Sequence, residues 1–142
     1  MKGDILPDDA HITRLCTHQQ QDATGWPKAT AFLPRPGECF VSVNWLEHLQ
    51  LGSRSDEIAE VLRVLRTKRN VGKLAKLALL SVGPSRKLVL AQTNPRLTIE
   101  YHHEPENQPD DPSHSGIYNI PEDDTTAAEL LALSVDALFP TR

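Results

Sequence analysis

The sequence predicts a single small α+β domain, with a mixed or antiparallel sheet and three or four helices, and three observations carry that reading. The chain has 142 residues, near the commonest single-domain size and long enough to bury one core without disulfides or a metal. Segments of strand period are interleaved with segments of helix period. They lack the regular βαβ rhythm of a doubly wound sheet, which favours α+β. One domain over 1–142 is therefore expected, with exposed loops near 17–28 and 104–113.

The first of these loops is polar and carries Gly25 and Pro27; the second, EPENQPDDPS, holds three prolines that prevent a helix or a central strand. Between them, Cys39, Val41 and Val43 alternate with Phe40, Ser42 and Asn44, which predicts a strand over about 38–43. Asn44 and Glu47 stand in capping-box spacing, so WLEHLQL is expected to open a short helix stopped by Gly52. Ser53 or Ser55 then caps a helix over about 56–69, in which Ile58, Val61, Leu62 and Leu65 recur at helical spacing.

Leu77 to Val82 reads as a buried strand ended by Gly83-Pro84. Ser85 to Ala91 reads as a short helix, with a strand through Lys87 to Ala91 as the alternative. Leu97, Ile99 and Tyr101 alternate with polar residues, and His114 to Ile120 forms a second strand, the two making a long-looped hairpin. The last element is a helix over about 125–138, opened by a capping box at Thr126 and Glu129 and stopped by Pro140.

The opening MKGDILPDDA has neither the apolar stretch nor the cleavage site of a signal peptide, and apolar runs such as Leu77 to Leu80 fall far short of a membrane span. A cytoplasmic protein without membrane contact is expected. Cys16 and Cys39 stand in no CxxC spacing and are read as reduced and structural.

The net charge of −4 hides a strong segregation. Residues 61–99 hold nine basic and no acidic side chains, whereas residues 100–142 hold one basic and ten acidic. Arg63, Arg66, Lys68, Arg69, Lys73, Lys76, Arg86, Lys87 and Arg96 can form a patch that binds phosphates through counterion release, or one that docks an acidic protein surface. In the competing arrangement the acidic third, from Glu104 to Asp124, folds back against the basic third and neutralises it. The basic stretch has no aromatic residue on which bases could stack.

Six histidines invite a search for acid–base or metal sites. His102, His103 and His114 with Asp110 and Asp111 can converge across a hairpin, but HExxH and paired-Cys spacings are lacking, so solvated loop residues are the preferred reading and no metal or other cofactor is assigned. Asp8, Asp9 and His11 can face His114 and Ser115, two imidazoles acting as acid and base on a phosphoester. His11-Ile12-Thr13 resembles the His-x-Thr motif of the two-histidine phosphoesterases, although His114-Ser115-Gly116 departs from it. Arg14, Ser42 and a later acidic residue also make a triad of ADP-ribosyltransferase type, a combination common by chance. Trp45 is read as a core or helix-start anchor, and Trp26 as a loop lid or partner contact.

The segments RPGECFVSVNWLEHL, DPSHSGIYNIP and PDDAHITRL resemble those of a family of small uncharacterised bacterial proteins sharing the SVNWLE and DPSHSGI motifs. The resemblance implies a bacterial cytoplasmic protein, of the kind that accompanies operons for phage defence or mobile elements. The leading expectation is an accessory protein that binds a partner protein or a polyanion such as nucleic acid. The alternative is a small hydrolase or transferase acting on a phosphoester or nucleotide, with His11 and His114 as its acid–base residues.

Overall fold

The computed structural model describes residues 2–142. Its centre is a six-stranded sheet built from β1 (His11–Cys16), β2 (Phe40–Trp45), β3 (Lys76–Ser81), β4 (Glu100–His103), β7 (His114–Tyr118) and β8 (Ala137–Pro140). The order is β4-β7-β2-β1-β3-β8, and every neighbouring pair is antiparallel. Three helices, α1 (Arg54–Lys68), α2 (Val82–Gln92) and α3 (Thr126–Leu133), flank it. The chain is thus an α+β domain whose sheet is wholly antiparallel. Among the described residues no helix is long and apolar enough to cross a membrane.

The two faces are covered differently. Ile12, Val41, Val43, Leu80 and Ile117 point to the face where α2, α3 and the turn Ala29–Phe32 close a core around Phe32, Val89 and Leu131. On the other face the apolar side of α1, Ile58, Val61, Leu62 and Leu65, packs on Leu15, Leu77, Leu79, Ala137 and Phe139. Those partners belong to β1, β3 and β8. The half of that face formed by β2, β7 and β4 is left without a helix.

Several local expectations are corrected. The capping box at Asn44 does not form: Glu47 instead accepts from the His11 amide at 2.7 Å and meets its ring, and only a single 3-10 turn, Glu47–Leu49, results. Gln50, at φ 54°, ends that turn rather than Gly52. Ser53 does cap α1, its hydroxyl accepting from Asp56 N at 3.2 Å.

β3 ends at Ser81, just before Gly83-Pro84, and that pair opens α2, which takes in the short helix expected over 85–91. Proline is tolerated in a first helical turn because no intrahelical amide is needed there. The free amides of Val82 and Gly83 donate to Ala10 O and Asp8 O, both at 2.9 Å. A Cβ on Gly83 would lie 2.8 Å from Asp8 O, so this junction requires glycine.

The hairpin of β4 and β7 forms as expected, but β4 begins only at Glu100. Thr93 Oγ1 holds the Leu97 amide at 2.8 Å and Asn119 binds Thr98 O, which takes that stretch out of the ladder. At the C-terminus α3 stops at Leu133 instead of 138, since residues 137–140 pair with the edge of β3, where Pro140 is tolerated. Asp124, not Thr126, supplies the cap, accepting from the Thr126 amide at 3.0 Å.

The segment 104–113 is not simply an exposed loop. It carries a small ribbon of β5 (Glu106–Asn107) and β6 (Asp110–Asp111), and it buries Asp111 completely.

Leu80 is fully buried at the middle of β3. Leu80→Ala is expected to cost about 2–5 kcal/mol of unfolding free energy in urea titration, while Leu133→Ser, at a 75% exposed position, should leave the midpoint nearly unchanged.

Candidate functional site

The uncovered half-face of the sheet brings together residues far apart in sequence. Registration places Thr13 opposite Asn44, Asn44 opposite His114, and Ser42 opposite Gly116. A Cβ on Gly116 would lie 2.5 Å from Phe40 Cδ2, so the missing side chain makes room for the Phe40 ring. That ring stands edge-on to His114 at 5.9 Å and stacks on Tyr118 at 5.1 Å, which in turn meets His102 at 4.7 Å. Phe40, Tyr118 and His102 form a half-buried row of rings along this face.

The strands β1 and β2 pair only at Ile12–Trp45 and Thr13–Asn44, then part. Arg14 fills the gap. Its Nε donates to Ala31 O at 2.7 Å and its terminal nitrogen to Ser42 O at 2.9 Å. Burial pulls the guanidinium down to about 10, and the positive charges of Arg35 and Arg69 push it the same way. Arg69 is likewise lowered, by burial first and by Arg35 second.

Lys68, at the end of α1, reaches over the open half-face to Asp111 Oδ2 at 2.8 Å and to Glu106. Asp111 also accepts from Asn44 Nδ2 at 2.9 Å, and the same amide reaches Ser113 Oγ at 2.9 Å. Partial burial opposes ionisation of Glu106, but the hydrogen bond from Lys68 and the charges of Lys68 and Arg69 hold its carboxyl below the ordinary value. The acidic third thus folds back on the basic third here.

The His114 ring is fixed at both nitrogens. Nδ1 lies 2.7 Å from the carbonyl of Glu104, which can only accept, so Nδ1 carries the proton. Nε2 is then the acceptor that faces Ser42 Oγ at 3.2 Å. Glu106 stands 3.9 Å from Nδ1.

Three hollows join around Arg69. A small one of about 20 Å³ is lined by Thr13, Ser42, Asn44 and His114 together with Leu15 and Leu65, room for a single water-sized group. It shares Ser42, Lys68, Arg69 and His114 with an outer hollow of about 370 Å³ that also touches Glu38, Cys39, Phe40 and Glu106. On its other side, Leu15 and Arg69 connect it to a hollow of about 480 Å³ lined by His18, Arg35, Lys73 and Leu74.

Of the expected binding residues, only Lys68, Arg69 and Lys73 line this groove. Arg63 pairs with Glu60 on α1, and Arg66 is bound to Thr141 O. Lys76 holds Gly25 O at 3.2 Å, Arg86 pairs with Asp8, and Lys87 lines a separate hollow on α2. The single basic patch expected from sequence is therefore dispersed. His11 is not brought to His114: its ring binds Glu47 at 2.8 Å, and it lines the hollow with Asp8, Asp9 and Lys87.

The histidine cluster does not converge either. His102 bonds Glu100 at 3.0 Å, whereas His103 is buried against Trp45 and His48 with Nε2 on Pro112 O. Among the described residues no group of three or more His, Cys, Asp or Glu side chains could hold a metal ion. Arg14 and Ser42 do meet, but through the serine carbonyl. Trp26 is 37% exposed, with Nε1 donating to Ala132 O at 3.0 Å.

Sequence reasoning missed Arg35, Thr13 and the Ser42–His114 contact, which the register of β1, β2 and β7 alone reveals. No protein-family model, curated protein or solved structure matches the chain.

Two outcomes follow from this packing. Lys68→Met strands the buried Asp111 carboxylate and is expected to cost about 3 kcal/mol, with part of the loss recovered in the Lys68→Met/Asp111→Asn double variant on urea titration. Burial also pushes the Cys16 thiol up to about 11, so at pH 8 it stays protonated. Iodoacetamide should then modify one thiol per native chain, the exposed Cys39, and both in urea, as counted by mass spectrometry.

Proposed function

We propose that the protein is an accessory module that binds single-stranded nucleic acid along the groove and the open half-face. The observation that carries this reading is a gathering of cationic side chains: Arg35, Arg69 and Lys73 line one hollow, and the charges of Arg35 and Arg69 bear on the buried Arg14. Like charges gathered in partly buried hollows repel, and a bound polyanion relieves that repulsion while releasing its counterions.

The row of Phe40, Tyr118 and His102 supplies what the basic segment lacks in sequence, flat rings next to cationic side chains. Successive bases stack on such rings with little sequence preference. An acidic protein surface would satisfy the charges but not make use of the rings. The bacterial cytoplasmic setting, and a role beside phage-defence or mobile-element genes, belong to the same proposal and rest on the sequence resemblance alone.

Fluorescence polarisation with labelled 12-nucleotide DNA and RNA strands tests the reading. Binding is expected to weaken steeply as salt rises. Arg69→Ala and Lys73→Ala should each weaken it and lower the log–log salt slope by about 1. Tyr118→Ala should weaken it about tenfold with the slope unchanged, and Arg63→Ala, on the solvent face of α1, should leave it intact. No binding at low salt, or binding indifferent to Arg69, Lys73 and Tyr118, would show the reading to be wrong.

A further inference from the structure

The inner end of the groove holds more than a binding surface requires. Ser42 and His114 sit where the 20 Å³ and 370 Å³ hollows meet, so their hydrogen bond faces space that a ligand can enter. The Glu104 carbonyl fixes the proton on Nδ1 and leaves Nε2 to accept from Ser42 Oγ, the arrangement a base needs to activate a hydroxyl. Glu106 at 3.9 Å from Nδ1 is placed to stabilise an imidazolium. Thr13 Oγ1 is buried without a hydrogen-bond partner, and Thr13 lines the small hollow together with the pair.

From this geometry we infer that Ser42 and His114 form a nucleophile–base pair that hydrolyses phosphodiesters lying in the groove. The inference rests on the nucleic-acid reading above for its substrate class. Around the serine, Lys68 is taken up by Glu106 and Asp111 and Glu38 is also present, which leaves Arg69 as the cation able to meet a phosphoryl oxygen and favours phosphorus over an acyl carbon. The small hollow accommodates one non-bridging oxygen, with the Thr13 hydroxyl as its donor.

In the first step the Ser42 Oγ–P bond forms and the P–O bond to the leaving strand breaks. The serine proton passes to His114 Nε2 and from there to the departing oxygen. In the second step water attacks phosphorus, the Oγ–P bond breaks, and the proton taken from water by His114 returns to Ser42. Thr13 and Arg69 hold the phosphoryl oxygens throughout.

The test combines a fluorophosphonate probe, which forms a stable bond to an activated serine with loss of fluoride, with cleavage of the labelled strands and the binding assay above. We expect the adduct on the peptide that contains Ser42, none in Ser42→Ala, and labelling slowed about 10²-fold or more in His114→Gln. Glu106→Gln, at a partly exposed carboxylate, provides a second variant should His114→Gln fail to fold, and is expected to slow labelling severalfold. Ser42→Ala should still bind the strands but not cleave them.

Strand binding without an adduct and without cleavage would overturn the nucleophile pair and leave the groove reading standing. An adduct on Ser42 without strand binding would remove the nucleic-acid substrate instead. Cleavage of RNA alone, to a 2′,3′-cyclic phosphate and undiminished in Ser42→Ala, would overturn Ser42 as the nucleophile.

Discussion

The buried guanidinium of Arg14 is the constraint around which this fold is arranged. Two central strands normally continue their ladder, yet β1 and β2 exchange only two residue pairs before they separate. The amide-to-carbonyl bonds given up there are replaced by the arginine, which ties Ala31 O on one layer to Ser42 O on the next strand. Replacing Arg14 with an apolar residue would leave those carbonyls buried and unmatched, whereas closing the ladder would remove the hollow. A charge so deeply placed is costly unless its donors are used, and here two of the donations run to backbone carbonyls.

The parting of the strands explains the asymmetry of the α1 face. On the β1, β3 and β8 side, Leu15, Leu77, Leu79 and Phe139 give α1 a flat apolar bed. On the β2, β7 and β4 side, the same face presents Ser42, Asn44, His114, Phe40 and Tyr118, which an apolar helix could not cover without stranding polar groups. The 104–113 segment covers part of it, and it does so through charge. Lys68 meets the buried Asp111, and Asn44 satisfies the other carboxylate oxygen. The charge segregation visible along the chain is in part internal complementation, and the basic groups left over by that pairing, Arg69, Arg35 and Lys73, mark the groove.

Much of the architecture is legible in the sequence, and the failures share a cause. The helix α1, with its serine cap, follows directly from apolar spacing, as do the strand β3 and the long-looped hairpin of β4 and β7. The strand β1 is hidden because Thr13 and Arg14 interrupt its apolar pattern, although the strand is central and both residues are buried. Thr13 is polar on the side of the open half-face, and Arg14 is polar because it bridges the gap between β1 and β2 to Ala31 O and Ser42 O. The helix expected over 45–51 shrinks to one turn for a related reason, since Asn44 and Glu47 are taken by distant partners, Asp111 and His11. Of the site, His114, Lys68, Arg69 and Lys73 could be singled out from residue type, but pairing His114 with His11 could not be checked without register. Local patterns report local structure; which side chain faces Ser42 is decided by β2 lying beside β7.

The same register bears on how binding and chemistry are divided. Phe40 of the stacking row lines the same hollow as His114 and Arg69, so a strand laid along the face would carry its bases on Phe40 and Tyr118 and its backbone toward Arg69. The phosphate at the turn between those two surfaces would then sit over Ser42. A binding module needs only the outer surfaces, and for that purpose Ser42 and His114 could be any pair that fills the space. Their tautomer is nonetheless set by a carbonyl, their contact opens into the groove, and Thr13, with an unmatched hydroxyl, lines the small hollow together with them. Packing alone favours burying such groups with all their hydrogen bonds made. A buried hydroxyl left unmatched beside a positioned serine is the departure from that rule expected where a site is built for an oxygen it does not permanently hold.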